Sequence, residues 1–513
     1  MFDPAPDAAG APDSTRDGTG SVDGSGGAAA REARGPAEGG AGWTASLRQA
    51  WLSALARGEQ EMEVQLASRP GEHGGLLAAI RRAGGEVLWN GPAVGAVHAR
   101  IPVGALPAVV AAAAAVQLPG VVRVAAPGEP SYVPAPDEVA DPLEVRIHSA
   151  NTAALGIDRL RADTGAAGRG VTVAVIDTGV DPAHPALART PDGQDKVLDF
   201  VDLTGEGTFA DRARRAREAA GAVLEKGKNP LWAAEGDVFL TREVRLADAV
   251  RVDGVVLNLS GIRARTGQGR LGWLDEANAG IGGVDLNGNG TNRDRLAVVV
   301  VDALPVPGYD TVYLDTDGDL TLGDERPLRP LREGGEAVFL QSGPEGREGV
   351  PGTGPGHASV GMALAVADID PEGFLVNFGF DANGHGTRMA GILAAWGGAF
   401  HGVAPGARLL VIKALGATGE GDWTRILAGI EYAVARGADI IHLSAESETP
   451  GDDLEVTGQV LRSVARRGVL AVMAAGDGGP RGETPGRAPE GGGPCLLYTS
   501  DRTRDPTFIS LCG

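Results

Sequence analysis

After Gly384 the chain alternates strictly between two kinds of apolar pattern. Short apolar runs, "LLVIKAL" (409–415), "DIIHLSA" (439–445) and "VLAVMAAG" (469–476), read as strands. Helical stretches at 385–396, 423–436 and 453–467 separate and precede them. In "WTRILAGIEYAVAR" the residues Ile426, Leu427, Ile430 and Val434 recur at helical spacing and define one face. Strands that alternate with amphipathic helices predict a parallel sheet with crossover helices on both faces. An earlier stretch, "GVTVAVIDTGVD", belongs to the same pattern. Its run from Val171 to Ile176 is nearly continuous, as a strand buried on both faces requires. The expected fold class is α/β.

The rest of the chain divides by composition. Residues 1–57, and above all 1–42, are rich in Gly, Ala, Asp, Pro and Ser and are expected to be disordered low-complexity sequence. Residues 58–127 read as β-α-β-β-α-β, with "GVVRVAAP" as the last strand, which suggests a small ferredoxin-like α+β domain. Residues 128–160 are Pro-rich and then polar, and read as a linker. The α/β pattern occupies 161–200 and 376–480. Between these halves, 201–375 carries short strand-like runs bounded by turn residues and reads as an inserted, mainly β domain.

The formal charge of −21 disfavours nucleic acid and anionic membrane surfaces as partners. No run of about 18 apolar residues predicts a membrane span. Both cysteines, Cys495 and Cys512, lie in the last 19 residues, so neither a disulfide framework nor a cysteine metal site is expected.

Two residues stand where chemistry is done in open α/β sheets, at the carboxyl ends of strands and the starts of helices. Asp177 ends the run "VAVID", and the Gly/Pro loop "TGVDPAHPAL" follows it. His385 opens a helix in "DANGHGTRMAG". An Asp accepting from one imidazole nitrogen fixes the tautomer and leaves the other nitrogen free to act as a base.

The segments "VAVIDTGVDPAHPAL", "NGHGTRMAG", "GVAPGARLLVIKAL", "IIHLSAES" and "VLAVMAAGDGGP" occur in that order. Together they resemble the subtilisin-like serine proteases, the subtilases of peptidase family S8. The resemblance covers 161–200 and 376–480. It implies a subtilisin-like parallel sheet, a catalytic Asp at Asp177 and a catalytic His at His385. It places the substrate-pairing strand at Ser444, Ala445 and Glu446 and the oxyanion position at Asp477. It also implies that the domain at 58–127 is a propeptide, a partner that assists folding and blocks the cleft. Protein or peptide substrates follow from it, as does a secreted or extracellular location, although "MFDPAPDAAG" has no signal-peptide pattern.

The Asp and His are 208 residues apart, and the long insert between them resembles that of tripeptidyl-peptidase-II-like members. It carries "DLNGNGTNRD" and "DTDGDLTLGDE". Oxygen ligands at alternate positions of a turn suit a structural Ca²⁺. The candidate ligands are Asp285, Asn287, Asn289 and Asp294 in the first loop, and Asp315, Asp317, Asp319 and Asp324 in the second. The second loop has Leu320 where an EF-hand has Gly, and a pair of solvated Asx turns is the alternative reading of both.

The sequence also departs from the family. Arg388 stands for a usual His, His442 for Asn, Glu446 for Gly and Asp477 for the oxyanion Asn. No "GTSMA"-like segment supplies the serine. Residues 481–513 end in "CLLYTSDRTRDPTFISLCG", whose composition breaks with all that precedes it and reads as a non-native tail. The expectation is a subtilisin-type endopeptidase or its zymogen, represented by a fragment without the nucleophile and inactive as it stands. The alternatives are a pseudoprotease that binds peptides and a Ca²⁺-binding surface or structural protein.

Overall fold

A computed structural model describes residues 43–124, 152–206, 208–219, 230–278, 283–341, 360–397, 401–447, 455–474, 495–499 and 507–509. The first described element is a helix, α1 (Ala45–Arg57), capped by the Thr44 side chain. This corrects the expectation of disorder through residue 57. Leu47, Trp51 and Ala54 form a buried stripe, which the surrounding low-complexity composition hid.

The small domain follows with β1 (Glu61–Ala67), α2 (His73–Arg82), β2 (Glu86–Gly91), β3 (Ala96–Pro102), α3 (Leu106–Ala112) and β4 (Ala115–Gln117). The strands pair in the order β2-β3-β1-β4. Leu47, Trp51, Leu76, Ile80 and Leu106 fill the core between the sheet and the helices. The sequence reading placed the last strand at "GVVRVAAP"; the fourth strand is instead β4, and the chain then leaves the sheet. Gln117 secures β4 there by donating to Gln65 Oε1 at 2.6 Å in a buried contact. Pro119 and Gly120 then turn the chain into β5 (Val121–Arg123), which belongs to a different sheet.

A helix at Ile157–Thr164 occupies the end of the expected linker. The main sheet begins with β6 (Thr172–Asp177) and β7 (Val197–Asp202). The insert then opens with α4 (Phe209–Glu218) and runs through β8 (Asp237–Phe239), β9 (Arg242–Arg245), β10 (Ala249–Val252), β11 (Val255–Asn258), β12 (Gln268–Asp275), β13 (Arg295–Val301), β14 (Thr311–Leu314), β15 (Val338–Gln341), β16 (Val360–Ile369) and β17 (Leu375–Gly379). Two antiparallel sheets, β14-β13-β12-β9 and β15-β16-β17-β8, share a core of Val298, Val300, Leu364, Val376 and Phe378. The insert sheet therefore extends to Gly379, beyond the boundary read at 375. A buried ion pair, Arg212 Nε to Asp237 Oδ2 at 2.8 Å, joins α4 to β8. Arg212 also donates to the Asp202 carbonyl at the end of β7.

The chain returns through α5 (His385–Ala394), β18 (Arg408–Lys413), β19 (Glu420–Asp422), α6 (Trp423–Ala435), β20 (Ile440–Leu443), β21 (Glu446–Ser447), α7 (Glu455–Arg466) and β22 (Leu470–Ala474). Strands β22-β20-β6-β18-β7 pair in parallel, and β6 lies at the centre. The sheet is mixed rather than purely parallel, because β23 (Cys495–Thr499) and β24 (Thr507–Ile509) add antiparallel strands at the β22 edge. This extension comes from the segment read as a non-native tail.

The open face of the small sheet packs on α6 and α7. Ala67, Val94, Ala96 and Ala115 share one core with Trp423, Leu427, Val456 and Val460. Polar contacts fix the register of the two surfaces. Glu431 accepts from the Ala93 and Val94 amides at 2.9 and 2.8 Å. Gln117 Oε1 accepts from the Val456 and Thr457 amides at the start of α7.

Candidate active site

Asp177 is the last residue of the central strand and is completely buried. Its Oδ1 accepts from the Thr178 amide and lies 2.7 Å from His385 Nδ1. A carboxylate that accepts from Nδ1 puts the proton on that nitrogen and leaves Nε2 free to accept one. Among the described residues, no serine hydroxyl hydrogen-bonds to His385.

A second carboxylate builds the loop that holds His385. Asp381 Oδ1 accepts from Thr178 Oγ1 and from the Asn383 and Gly384 amides. Its Oδ2 accepts from the amide and hydroxyl of Thr387. The Gly386 amide donates to Thr178 Oγ1 at 2.9 Å, so strand end and helix start are tied twice. Sequence reasoning missed Asp381 and Thr178; Asp381 precedes the N-cap Gly384 by three residues, so it carries no N-cap signature of its own. Gly384, at φ 84°, supplies the left-handed turn into α5. Gly386 is required by contact: a Cβ there would lie 1.9 Å from the Gly179 carbonyl oxygen.

Lys413 supports the other side of the loop. Its buried Nζ donates to the Thr178 carbonyl at 2.7 Å and lies 3.1 Å from Glu235 Oε2. Burial works against this ammonium, but Glu235, Asp202 and Asp381 outweigh it and hold its pKa above the usual value. His442 lies opposite Val175 in the β20–β6 pair. Burial pushes its pKa down. Ser444 and Ala445 connect β20 to β21, and Glu446 begins β21. Asp477 lies outside the described residues.

Strand β5 runs antiparallel between β19 and β21. Glu420 and Glu446 are the register partners of Arg123, and Gly421 and Ser447 those of Val122. The Val124 amide donates to the Gly419 carbonyl at 2.9 Å, and the Trp423 amide donates to the Gly120 carbonyl at 3.2 Å. Val122 and Val124 are buried in the core shared with Leu415 and Trp423. The approach is close. A Cβ on Gly419 would meet Val124 Cγ2 at 2.7 Å and Asn383 Nδ2 at 3.3 Å, so the residue after β5 and the loop before His385 both approach Gly419.

The two acidic loops of the insert differ. In the second, carboxylate oxygens of Asp315, Asp317 and Asp319 lie within 4.8 Å of one another. Asp315 is 0% exposed, and of the described backbone groups around it only the Leu320 amide comes near its buried carboxylate. Burial, then the charges of Asp317 and Glu325, push its pKa up to about 6. Leu320 takes φ 66°, the left-handed turn for which such loops use Gly. This donor set fits a hard cation. Asp324 is not part of the group. Its neighbour Glu325 turns inward instead and accepts from Thr316 Oγ1.

In the first loop the oxygens are used internally. Asp285 accepts from the Asn289 and Gly290 amides, and Asp294 Oδ2 accepts from Asn287 Nδ2 and Thr291 Oγ1. Buried Glu276 accepts from the Leu286, Asn287 and Asp294 amides. Burial raises its pKa to about 7. Asp285, Asn287, Asn289 and Asp294 thus form a hydrogen-bonded loop closed on Glu276, which replaces the expected open oxygen ring.

A strand-end Asp bonded to a helix-start His, on a parallel sheet with this order of segments, defines a subtilase. Residues 168–492 match the subtilase family (peptidase S8), and the chain belongs to that family. It is similar to pyrolysin of Pyrococcus furiosus, 32% identical over 351 residues, which are 61% of this chain and 23% of pyrolysin. It is also similar to subtilisin Savinase of Lederbergia lenta, 43% identical over 101 residues, which are 19% of this chain and 36% of Savinase. The chain thus spans about a quarter of the length of pyrolysin and about a third of that of Savinase. Among solved structures, tripeptidyl peptidase 2 aligns at a TM-score of 0.41 and 16% identity, over 63% of this chain and 27% of that one.

Proposed function

We propose that the protein is a serine endopeptidase of the subtilisin type and that residues 43–124 are its propeptide. Family membership and the Asp177–His385 hydrogen bond of 2.7 Å support the first part. In this reading His385 Nε2 takes the proton of a serine hydroxyl as it attacks the peptide carbonyl. The imidazolium formed is stabilised by Asp177 and then protonates the leaving amine. The observation that carries the second part is β5, which pairs between β19 and β21 as a substrate strand would.

Three further assignments accompany this reading. Ser444, Ala445 and Glu446 line the substrate strand. Asp477 stands at the oxyanion position, where an ionised carboxylate would repel the developing charge and a protonated one would donate. Activity is therefore expected to favour acidic pH, and Asp477→Asn should move the profile. Finally, Asp315, Asp317 and Asp319 hold a structural Ca²⁺, and the protein is exported to calcium-rich surroundings.

Fluorophosphonate labelling with casein hydrolysis tests the main proposal. The full-length gene product is expected to take the label and cleave casein, and to lose both in His385→Ala. A matured full-length protein that does neither would overturn it.

A further inference from the structure

One carboxylate of the insert reaches the edge on which β5 pairs. Glu235 stands shortly before β8, and the backbone around it is held firmly. The Glu235 amide donates to Thr204 Oγ1 at 2.8 Å, and the Gly236 amide donates to Asp202 Oδ2 at 3.1 Å. Gly236 packs so closely that a Cβ there would lie 1.8 Å from the Phe378 carbonyl oxygen. The side chain thus leaves a fixed point of the insert and crosses to the turn between β18 and β19. Both of its oxygens accept from the Ala417 amide, at 2.9 and 3.1 Å. A Cβ on Gly416 would meet Oε1 at 2.6 Å, so glycine gives the carboxylate its seat.

The turn is closed on itself by the Gly416 amide to the Glu420 carbonyl at 2.8 Å and the Gly419 amide to the Gly416 carbonyl at 2.9 Å. From it the pairing edge continues: the Gly419 carbonyl accepts from the Val124 amide, and Glu420 opens β19. On its other side the Ala417 carbonyl accepts from Asn383 Nδ2 at 3.1 Å, in the loop of His385. We infer that Glu235 is a positioning residue for substrate, through which the insert sets the place of the edge where a peptide backbone pairs. This rests on the reading of β19 as that edge. Glu235 also pairs with Lys413, but Lys413 has other partners: it donates to the Thr178 and Leu415 carbonyls at 2.7 and 3.4 Å, and Asp202 and Asp381 favour its charge. Removal of Glu235 therefore loosens the edge and spares the Asp177–His385 bond.

Hydrogen exchange on the intact chain tests this without any need for catalysis. In Glu235→Ala, protection of the Ala417 and Val124 amides should fall about tenfold, because the turn loses a charged hydrogen-bond acceptor. Amides of β6, β12 and β13 should stay protected, and the low-field proton resonance of the dyad should persist. Glu235→Gln keeps an acceptor oxygen and should retain part of the protection. Gly416→Ala displaces the carboxylate and should loosen the same amides, but should add nothing in the Glu235→Ala background. In the matured full-length protein, Glu235→Ala should raise KM for a peptide about tenfold with little change in kcat. Ala417 and Val124 amides protected equally in the parent chain and in Glu235→Ala would overturn the inference. So would a fall shared by β12 and β13, which would make Glu235 a support of the insert alone. The expected exchange with an unchanged KM would instead overturn the reading of β19 as the substrate edge.

Discussion

The Thr178 hydroxyl donates to Asp381 Oδ1 at 2.9 Å, across 203 residues of sequence. This bond joins the end of the central strand to the loop that presents His385. Asp381 gathers five donors in all: Thr178 Oγ1, three amides and the Thr387 hydroxyl. Asp381→Ala leaves these donors without their acceptor in a buried site. The expected loss is about 3 kcal/mol of stability by denaturant unfolding. The low-field proton resonance of the His385–Asp177 bond should vanish with it. Asp381→Asn keeps one oxygen and should lose less; equal behaviour of all three proteins would show that Asp381 holds nothing in place.

Gly386→Ala acts through space alone. The added methyl would meet the Gly179 carbonyl oxygen at 1.9 Å and Asp177 Cβ at 3.2 Å. The neighbouring atom is backbone, so the two loops must separate. Stability is expected to fall by about 2 kcal/mol or more, and the dyad resonance should broaden or disappear. A crystal structure of the variant with the 2.7 Å dyad bond intact would refute this.

Calcium should stabilise the insert through the second loop. At a hundredfold excess over its dissociation constant, a ligand specific to the folded state adds about 2.7 kcal/mol. Calorimetry is expected to show a rise in melting temperature with Ca²⁺ and its reversal by chelator. Asp315→Asn should abolish the response. Asp324→Asn should leave it unchanged, because Asp324 is outside the carboxylate group. A response that survives Asp315→Asn would place the ion elsewhere.

Docking of the small domain should weaken in acid. His98 lies in the interface, with Nδ1 3.1 Å from Thr424 Oγ1 and Nε2 3.5 Å from Glu63 Oε2. Burial pushes its pKa below 6.5, against the opposing pull of Glu63 and Asp422 and with a small assist from Arg100. The free domain therefore binds protons that the docked one releases. Docking is strongest above pH 6.5 and declines as pH falls through that value. Hydrogen exchange at the Ala93 and Val94 amides should report the decline, and His98→Gln should flatten it. The same slope in both proteins would move the effect to another group.

The parallel sheet was legible because its signal is local and repeated. "TVAVID", "RLLVIK" and the amphipathic helix at 423–435 each announce themselves within one window. Asp177 and His385 were legible because strand ends and helix starts can be read from flanking residues. Other features depend on contacts between distant segments. Nothing near Gln117 indicates that Gln65 will hold β4 in place, so the more apolar "GVVRVAAP" reads as the last strand from sequence alone. The helix at 45–57 was masked by the composition of its neighbours. The first acidic loop has the spacing of a calcium site, yet Glu276, nine residues upstream of Asp285, closes it with hydrogen bonds. The role of Asp381 required knowing that Thr178 would lie beside it.

Strand β17 ends at Gly379, and Asp381 follows after a single residue. The insert is therefore spliced into the short tether of His385, without slack between them. Its central strand is held in turn by Asn377, which donates to Asp237 at 2.9 Å. A designer who removed the insert to make a compact enzyme would also remove the upstream half of that tether. The histidine loop would then need a new abutment, and restoring the shorter path from Asp202 to Asp381 would not by itself provide one.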